Sequence, residues 1–207
     1  QLLHPPDQRL VVEIPRGVED QEPVVHLPTV LQQVHHGRQR RHLGSPEAVD
    51  LDGRLWGLDH GGGLADLRLR VDRLRVDDPA ARTAAGEAFA TLPGPAAIEA
   101  TRRNLLGPQV LDAQTWPEIR ILARIDDLHV TRSQADVHFS LRGLGRRYRV
   151  PVAIAHGGDA ITVTGSAVLL QSDLGITPFA ALGGALRVRD QIDVDFHVIG
   201  RKARARL

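Results

Sequence analysis

The sequence has no cysteine and no methionine, a single tyrosine, and aromatic residues amount to only 3% of its 207 positions. Without cysteine, disulfides, thiolate catalysis and cysteine-ligated metals are excluded. The missing methionine reads as a chain whose natural start lies outside this sequence. Few aromatics leave few stacking platforms for single-stranded nucleic acid. No segment approaches the roughly 18 consecutive apolar residues of a membrane-spanning helix. The first thirty residues show no basic region followed by an apolar stretch, so no signal peptide is visible and the sequence itself reads as cytoplasmic. Lysine is confined to Lys202, and the other cations are arginine. Together with abundant Ala, Gly, Pro and Asp, this fits the codon bias of a GC-rich genome.

What remains is an ordinary globular composition: 42% apolar, 25% charged, with a formal net charge of +1. That balance is not a polyanion magnet, and the length suits one domain spanning 1–207. Residues 9–14 (RLVVEI) read as a short strand. Residues 15–48 are rich in Pro, His, Arg and Gln and read as loop. Val30–Val34 resembles the start of a helical turn, but no apolar period persists.

From Leu51 the pattern becomes β. Leu51–Trp56 reads as a strand and Gly61–Gly63 as a turn. In Leu64–Val76, Leu67, Leu69 and Val71 alternate with Arg68, Arg70 and Asp72, and a phase slip after Asp72 reads as a β-bulge. Ala97–Leu106 reads as a helix stopped by Gly107-Pro108, with a second short helix expected over Pro108–Ala113. Beyond Pro117 the chain is nearly all strand. Ile119, Ile121, Ala123 and Ile125 share one face, as do Val137, Phe139 and Leu141, then Tyr148, Val150, Val152 and Ile154, then Ile161 and Val163. Gly143–Gly145 and Gly157-Gly158-Asp159 mark hairpins. The last strand sets Ile192, Val194, Phe196 and Val198 against Asp193, Asp195 and His197. Short connections between strands imply antiparallel neighbours, and about eight such strands imply a barrel or sandwich.

The polar constellations carry little. His26, His35, His36, His42 and His60 lack the spacing of converging metal ligands. A metal-binding stress protein built on His35, His36, His42 and His60 is therefore the weaker alternative. No carboxylate pair is set as a general acid and base, no GxSxG supports serine chemistry, and the glycine triplet lacks a phosphate-loop context. A binding protein is expected rather than an enzyme, with no cofactor. The arginine pairs Arg40-Arg41, Arg102-Arg103 and Arg146-Arg147 read as solvated surface, and residues 201–207 as a frayed tail. The apolar faces are left. A barrel of this size is either filled by side chains or hollow enough for one small ligand.

Three stretches resemble the YceI-like family, the lipocalin-like polyisoprenoid-binding proteins of bacteria. They are LRVDDPAARTAAGEAFA (74–90), TRRNLLGPQVLDAQTWPEI (101–119) and the closing segment with Ser172-Asp173-Leu174-Gly175-Ile176, Val188 and Asp190. The likeness covers residues 50–200. It departs at Gln171 and Leu174, where the family often has Arg and Phe, and at HHGRQRRHLGSP, which lacks the family's Gly-His-Asn/Asp-His turn. Residues 9–48 are the poorly matching N-terminal hairpin region.

The resemblance implies a mainly β fold: a lipocalin-like antiparallel β-barrel of about eight strands with a short helical insert. It also implies a long apolar cavity for an isoprenoid or fatty-acid-like amphiphile, and proteins that are often periplasmic or secreted. The expected lining comprises Leu67, Leu69, Val71, Ile119, Ile121, Ile125, Val137, Phe139, Leu141, Val150, Val152, Ile161, Val163, Ile192, Val194 and Phe196. Arg102, Arg103 and Arg120 are expected near a polar headgroup at the mouth. The expected partner is the amphiphile itself, without nucleic acid or stable membrane insertion; a homodimer stays open. The alternative is a filled-core structural or interaction barrel.

Overall fold

In the computed structural model, the structure describes residues 51–79, 82, 91–179 and 188–201 in full and the backbone of 29–35, 180–181 and 186–187. The strand expected at 9–14 lies outside the described residues. Ten strands follow in chain order: β1 Thr29–His35, β2 Leu51–Gly57, β3 Gly63–Arg70, β4 Glu118–Ile125, β5 Arg132–Leu141, β6 Leu144–Gly157, β7 Ala160–Leu170, β8 Ala180–Ala181, β9 Leu186–Arg187 and β10 Gln191–Arg201. Eight of them form one sheet in the order β1-β10-β7-β6-β5-β4-β3-β2, and β8 pairs with β9 in a small ribbon. Every neighbouring pair is antiparallel. The sheet curls so that its inward rows share one interior. Among the described residues no ladder joins its edges, β1 and β2.

Tight turns set the register. Leu141 pairs with Leu144, leaving Arg142 and Gly143 as a two-residue loop, with φ of 52° and 72°. Two successive positive φ angles are what a hairpin turn compatible with strand twist requires. Gly157 pairs with Ala160 around Gly158-Asp159, with Gly158 at φ 61°.

Three expectations are corrected. The segment 29–35, read as loop, is strand β1. Its sequence TVLQQVH has no clean alternation, and its pairing with β10, with a register shift between Gln32 and Val34, supplies the order. The bulge expected after Asp72 is instead a 3-10 turn at Val71–Arg73, entered as the Val71 N–H donates to the Pro117 carbonyl at 2.9 Å. The second helix expected over 108–113 is a series of turns. Leu111 N–H reaches back to the Leu105 carbonyl and Ala113 N–H to that of Leu106, with Asp112 at φ 47°.

The expected helix forms as α1, Pro95–Leu106, with proline in its first turn, where a missing N–H costs nothing. No α1 residue is buried. Leu105 and Leu106 nevertheless rest on the end of the interior, and the Arg102 guanidinium ties the helix to the carbonyls of Leu74 and Asp72.

Candidate functional site

Period-two alternation places every second residue of β2 to β7 and β10 inside the curl. The interior holds two apolar clusters along the strands. At one end Leu51, Leu67, Leu69, Val71, Leu111, Ile119, Leu141, Leu169, Leu174 and Ile176 form a packed plug. Toward the other end Leu55, Ile125, Leu128, Ala135, Val150, Val152, Ile154, Ile161 and Val163 form a second cluster. There the loop after β4 folds in: the Leu128 N–H donates to the Gly61 carbonyl at 2.7 Å, and a His156 ring nitrogen lies 2.7 Å from the Leu128 carbonyl.

A cavity of about 140 Å³ opens inside this second cluster, seven of whose nine residues line it, and it reaches Leu51, Leu67 and Leu169 of the plug. Of the residues expected to line it, Leu67, Ile121, Ile125, Val137, Phe139, Val150, Val152, Ile161, Val163, Val194 and Phe196 do so. Leu69, Val71, Ile119 and Leu141 belong to the plug, and Ile192 packs against it. Alternation identified their face correctly, but their depth puts them beyond the void. The cavity also takes Val198, on the inward face of the last strand, and Leu51, Leu55, Ala65, Ala123, Ala135, Tyr148, Ala167, Leu169 and Gly200, which were not expected in the lining. Most of these stand in the same inward rows. The alanines are easily passed over because they contribute little apolar bulk, yet their small size leaves the space.

Among the described residues, Tyr148 is the one lining residue with a polar side-chain atom. Its hydroxyl is buried without a hydrogen-bond partner. Burial pushes the phenol above its ordinary value, the Asp173 carboxylate adds to the rise, and Arg146 opposes it.

The three arginines expected at a headgroup are engaged elsewhere. Arg102 holds α1 as described, and Arg103 pairs loosely with Glu99 at 3.9 Å on the exposed face of α1. Arg120 points from the outer face of β4 and grips Asp66 through two hydrogen bonds of 3.0 and 2.8 Å. Its outward side follows from the inward placement of Ile119 and Ile121 on either side. Arg146, of the Arg146-Arg147 pair, lies two residues from Tyr148 on the same face of β6 and is exposed.

Of the histidines, His26, His36 and His42 lie outside the described residues, and of His35 only the backbone is described. Among the described residues no three His, Asp or Glu side chains converge as a metal site. None of the described helices is long and apolar enough to cross a membrane.

An antiparallel sheet curled around an apolar void, with one short helix across an end, is the architecture of a lipocalin-type barrel. The fold is that of YceI-like proteins. BcnA of Burkholderia cenocepacia superposes with a TM-score of 0.53 at 15% identity, over 73% of this chain and 85% of that one. The Campylobacter jejuni YceI protein gives 0.52 at 10% identity, over 81% and 92%. A polyisoprenoid binding domain from Saccharophagus degradans gives 0.53 at 11% identity, over 88% and 100%. At the level of sequence, no family model and no curated protein matches the chain.

Proposed function

We infer that this chain belongs with the YceI-like proteins and binds a long-chain apolar molecule, an isoprenoid or similar amphiphile, inside the curled sheet. The observation that supports this is the unfilled interior. Protein cores are close-packed, with few voids larger than a water molecule. Here a void of about 140 Å³ is walled almost wholly by aliphatic side chains. A dry apolar cavity of about 150 Å³ is known to take up benzene, so this one accepts a ring-sized or isoprene-sized segment. It also favours a binding role over a filled-core barrel.

The driving force is desolvation. Each buried CH2 contributes about 0.8 kcal/mol, so eight methylenes supply about 6 kcal/mol before the entropic costs of association. A long chain needs more room than the void holds. The sheet yields most cheaply where the described residues form no ladder: along the β1/β2 edge, and between β6 and β7 beyond Val152. The polyisoprenoid binding of the Saccharophagus domain is consistent with this reading. Native mass spectrometry of delipidated protein mixed with a prenyl-chain probe tests it, with one molecule retained per chain expected. Failure of the folded protein to retain any apolar probe sinks the idea.

A further inference from the structure

The ladder between β6 and β7 runs only from Gly157–Ala160 to Val152–Gly165. Next comes Pro151, which has no N–H to donate. From there Leu144–Pro151 is laddered only to β5 and Ser166–Leu170 only to β10, while the 3-10 turn Ser172–Leu174 packs against both strands. The sheet therefore splits at the plug end. The lips of the split are Tyr148 and Val150 on one side and Ala167 and Leu169 on the other, all of which line the cavity. Tyr148 also touches both packed clusters, so it stands where void and plug meet.

A phenol hydroxyl is a donor that is normally satisfied when buried. That of Tyr148 is buried and has no partner among the described residues, a state that an incoming acceptor relieves. One step outward on the same strand face is Arg146, about 7 Å along the strand. It is exposed, and among the described residues its guanidinium bonds only to the carbonyl of its own neighbour Gly145, at 3.1 Å. The inward face of β6 thus changes at the split from aliphatic to hydroxyl to cation. Asp173 on the facing turn disfavours an anion at the hydroxyl itself, so a negative head would lie outward at Arg146.

We propose that the head of the bound molecule lies at the split between β6 and β7, with the Tyr148 hydroxyl donating to it, so that the site selects a long apolar chain ending in an oxygen acceptor over the bare hydrocarbon. This rests on the apolar-ligand reading above. The test compares three probes of one chain length: a C20 prenyl hydrocarbon, geranylgeraniol and geranylgeranyl phosphate. Wild type is expected to bind the alcohol about ten-fold more tightly than the hydrocarbon, the size of one net hydrogen bond. Tyr148→Phe is expected to lose that preference while still binding the hydrocarbon, which also shows that the variant is folded.

Tyr148 is the only tyrosine in the chain. Its phenol absorbance should therefore shift with the alcohol and not with the hydrocarbon. The phosphate tells the two heads apart: a further gain, lost in Arg146→Gln, assigns an anionic head at the rim, and parity with the alcohol assigns a neutral one. Equal binding of alcohol and hydrocarbon by wild type, or an unchanged preference in Tyr148→Phe, overturns the proposal alone. Failure of all three probes to bind overturns it together with the cavity reading.

Discussion

Ser172 Oγ donates to Asp190 Oδ2 at 2.6 Å, and the Ser172 N–H donates to Asp190 Oδ1 at 2.8 Å. The pair closes the connection between β7 and β10. It fixes the 3-10 turn Ser172–Leu174, which ends at Gly175 in the left-handed region with φ 70°. Leu174, 1% exposed, is thereby driven into the plug, with Ile176 beside it. The segment Ser-Asp-Leu-Gly-Ile therefore has a physical reason for its order: a clamp, a turn and two apolar wedges.

Breaking the clamp should loosen the plug. The Ser172 hydroxyl and then its N–H hold the Asp190 carboxyl below its ordinary value. A carboxyl depressed in the folded state stabilises above the unfolded pKa, about 4, and that contribution is lost as pH falls through the folded value. Asp190→Asn is expected to melt at a lower temperature than wild type at pH 7, with the gap narrowing below about pH 4. Thermal melts over pH 3–7 check it, and a gap independent of pH would count against the clamp. Leu174→Ala, which empties a fully buried position, should cost about 2–5 kcal/mol in urea titrations.

Arg142 is a second tie at the same end. Its guanidinium donates to the carbonyls of Val110, Gly175 and Pro108 at 3.1, 3.3 and 3.4 Å, joining the segment after α1 and the 3-10 turn to the β5–β6 hairpin. Its backbone is left-handed, φ 52°, where a Cβ costs about 1 kcal/mol relative to glycine. Both Arg142→Ala and Arg142→Gly should be destabilised. The glycine variant should retain about 1 kcal/mol more, because it loses the tie and relieves the strain together. Equal unfolding midpoints would show that the turn is unstrained.

His138 lies on the outer face of β5, opposite Leu122 of β4 and Arg147 of β6. Burial lowers its pKa, and the charges of Arg147 and Arg120 lower it further. The unfolded chain takes up this proton near pH 6.5 and the folded chain only at lower pH. Stability from this group is thus complete above about pH 6.5 and declines as pH falls through that range. Wild type should lose more stability between pH 7.5 and 5.5 than His138→Gln. Parallel pH profiles for the two proteins would remove His138 as the cause.

The sequence makes faces legible and leaves depth hidden. Leu69, Ile119, Leu141 and Ile192 carry the same alternation as Leu67, Ile121, Phe139 and Val194, yet the first four lie beyond the void and the second four line it. Nothing in a period of two states how far along the barrel a row lies. β1 was illegible for a different reason: its order comes from pairing with β10, a non-local term that TVLQQVH does not encode by pattern. Of the three arginines expected near a headgroup, Arg120 stands between Ile119 and Ile121, so the same alternation puts it on the outer face, where it grips Asp66.

The alanines lead to the last prediction. Ala123 sits in mid-β4, paired with Ala65 on β3 and Val137 on β5, and all three line the cavity. Leucine at position 123 would put three further carbons into the void without crossing a polar group. If the void is where ligand is held, Ala123→Leu should weaken binding of a prenyl probe at least ten-fold. The same change fills a dry cavity, a substitution class that commonly adds about 0.5–2 kcal/mol. Binding and stability should therefore move in opposite directions, which a simple misfolding defect cannot produce. Titration of the probe alongside urea unfolding measures both. A variant that binds as wild type does while losing stability would place the ligand elsewhere and make the void a packing defect.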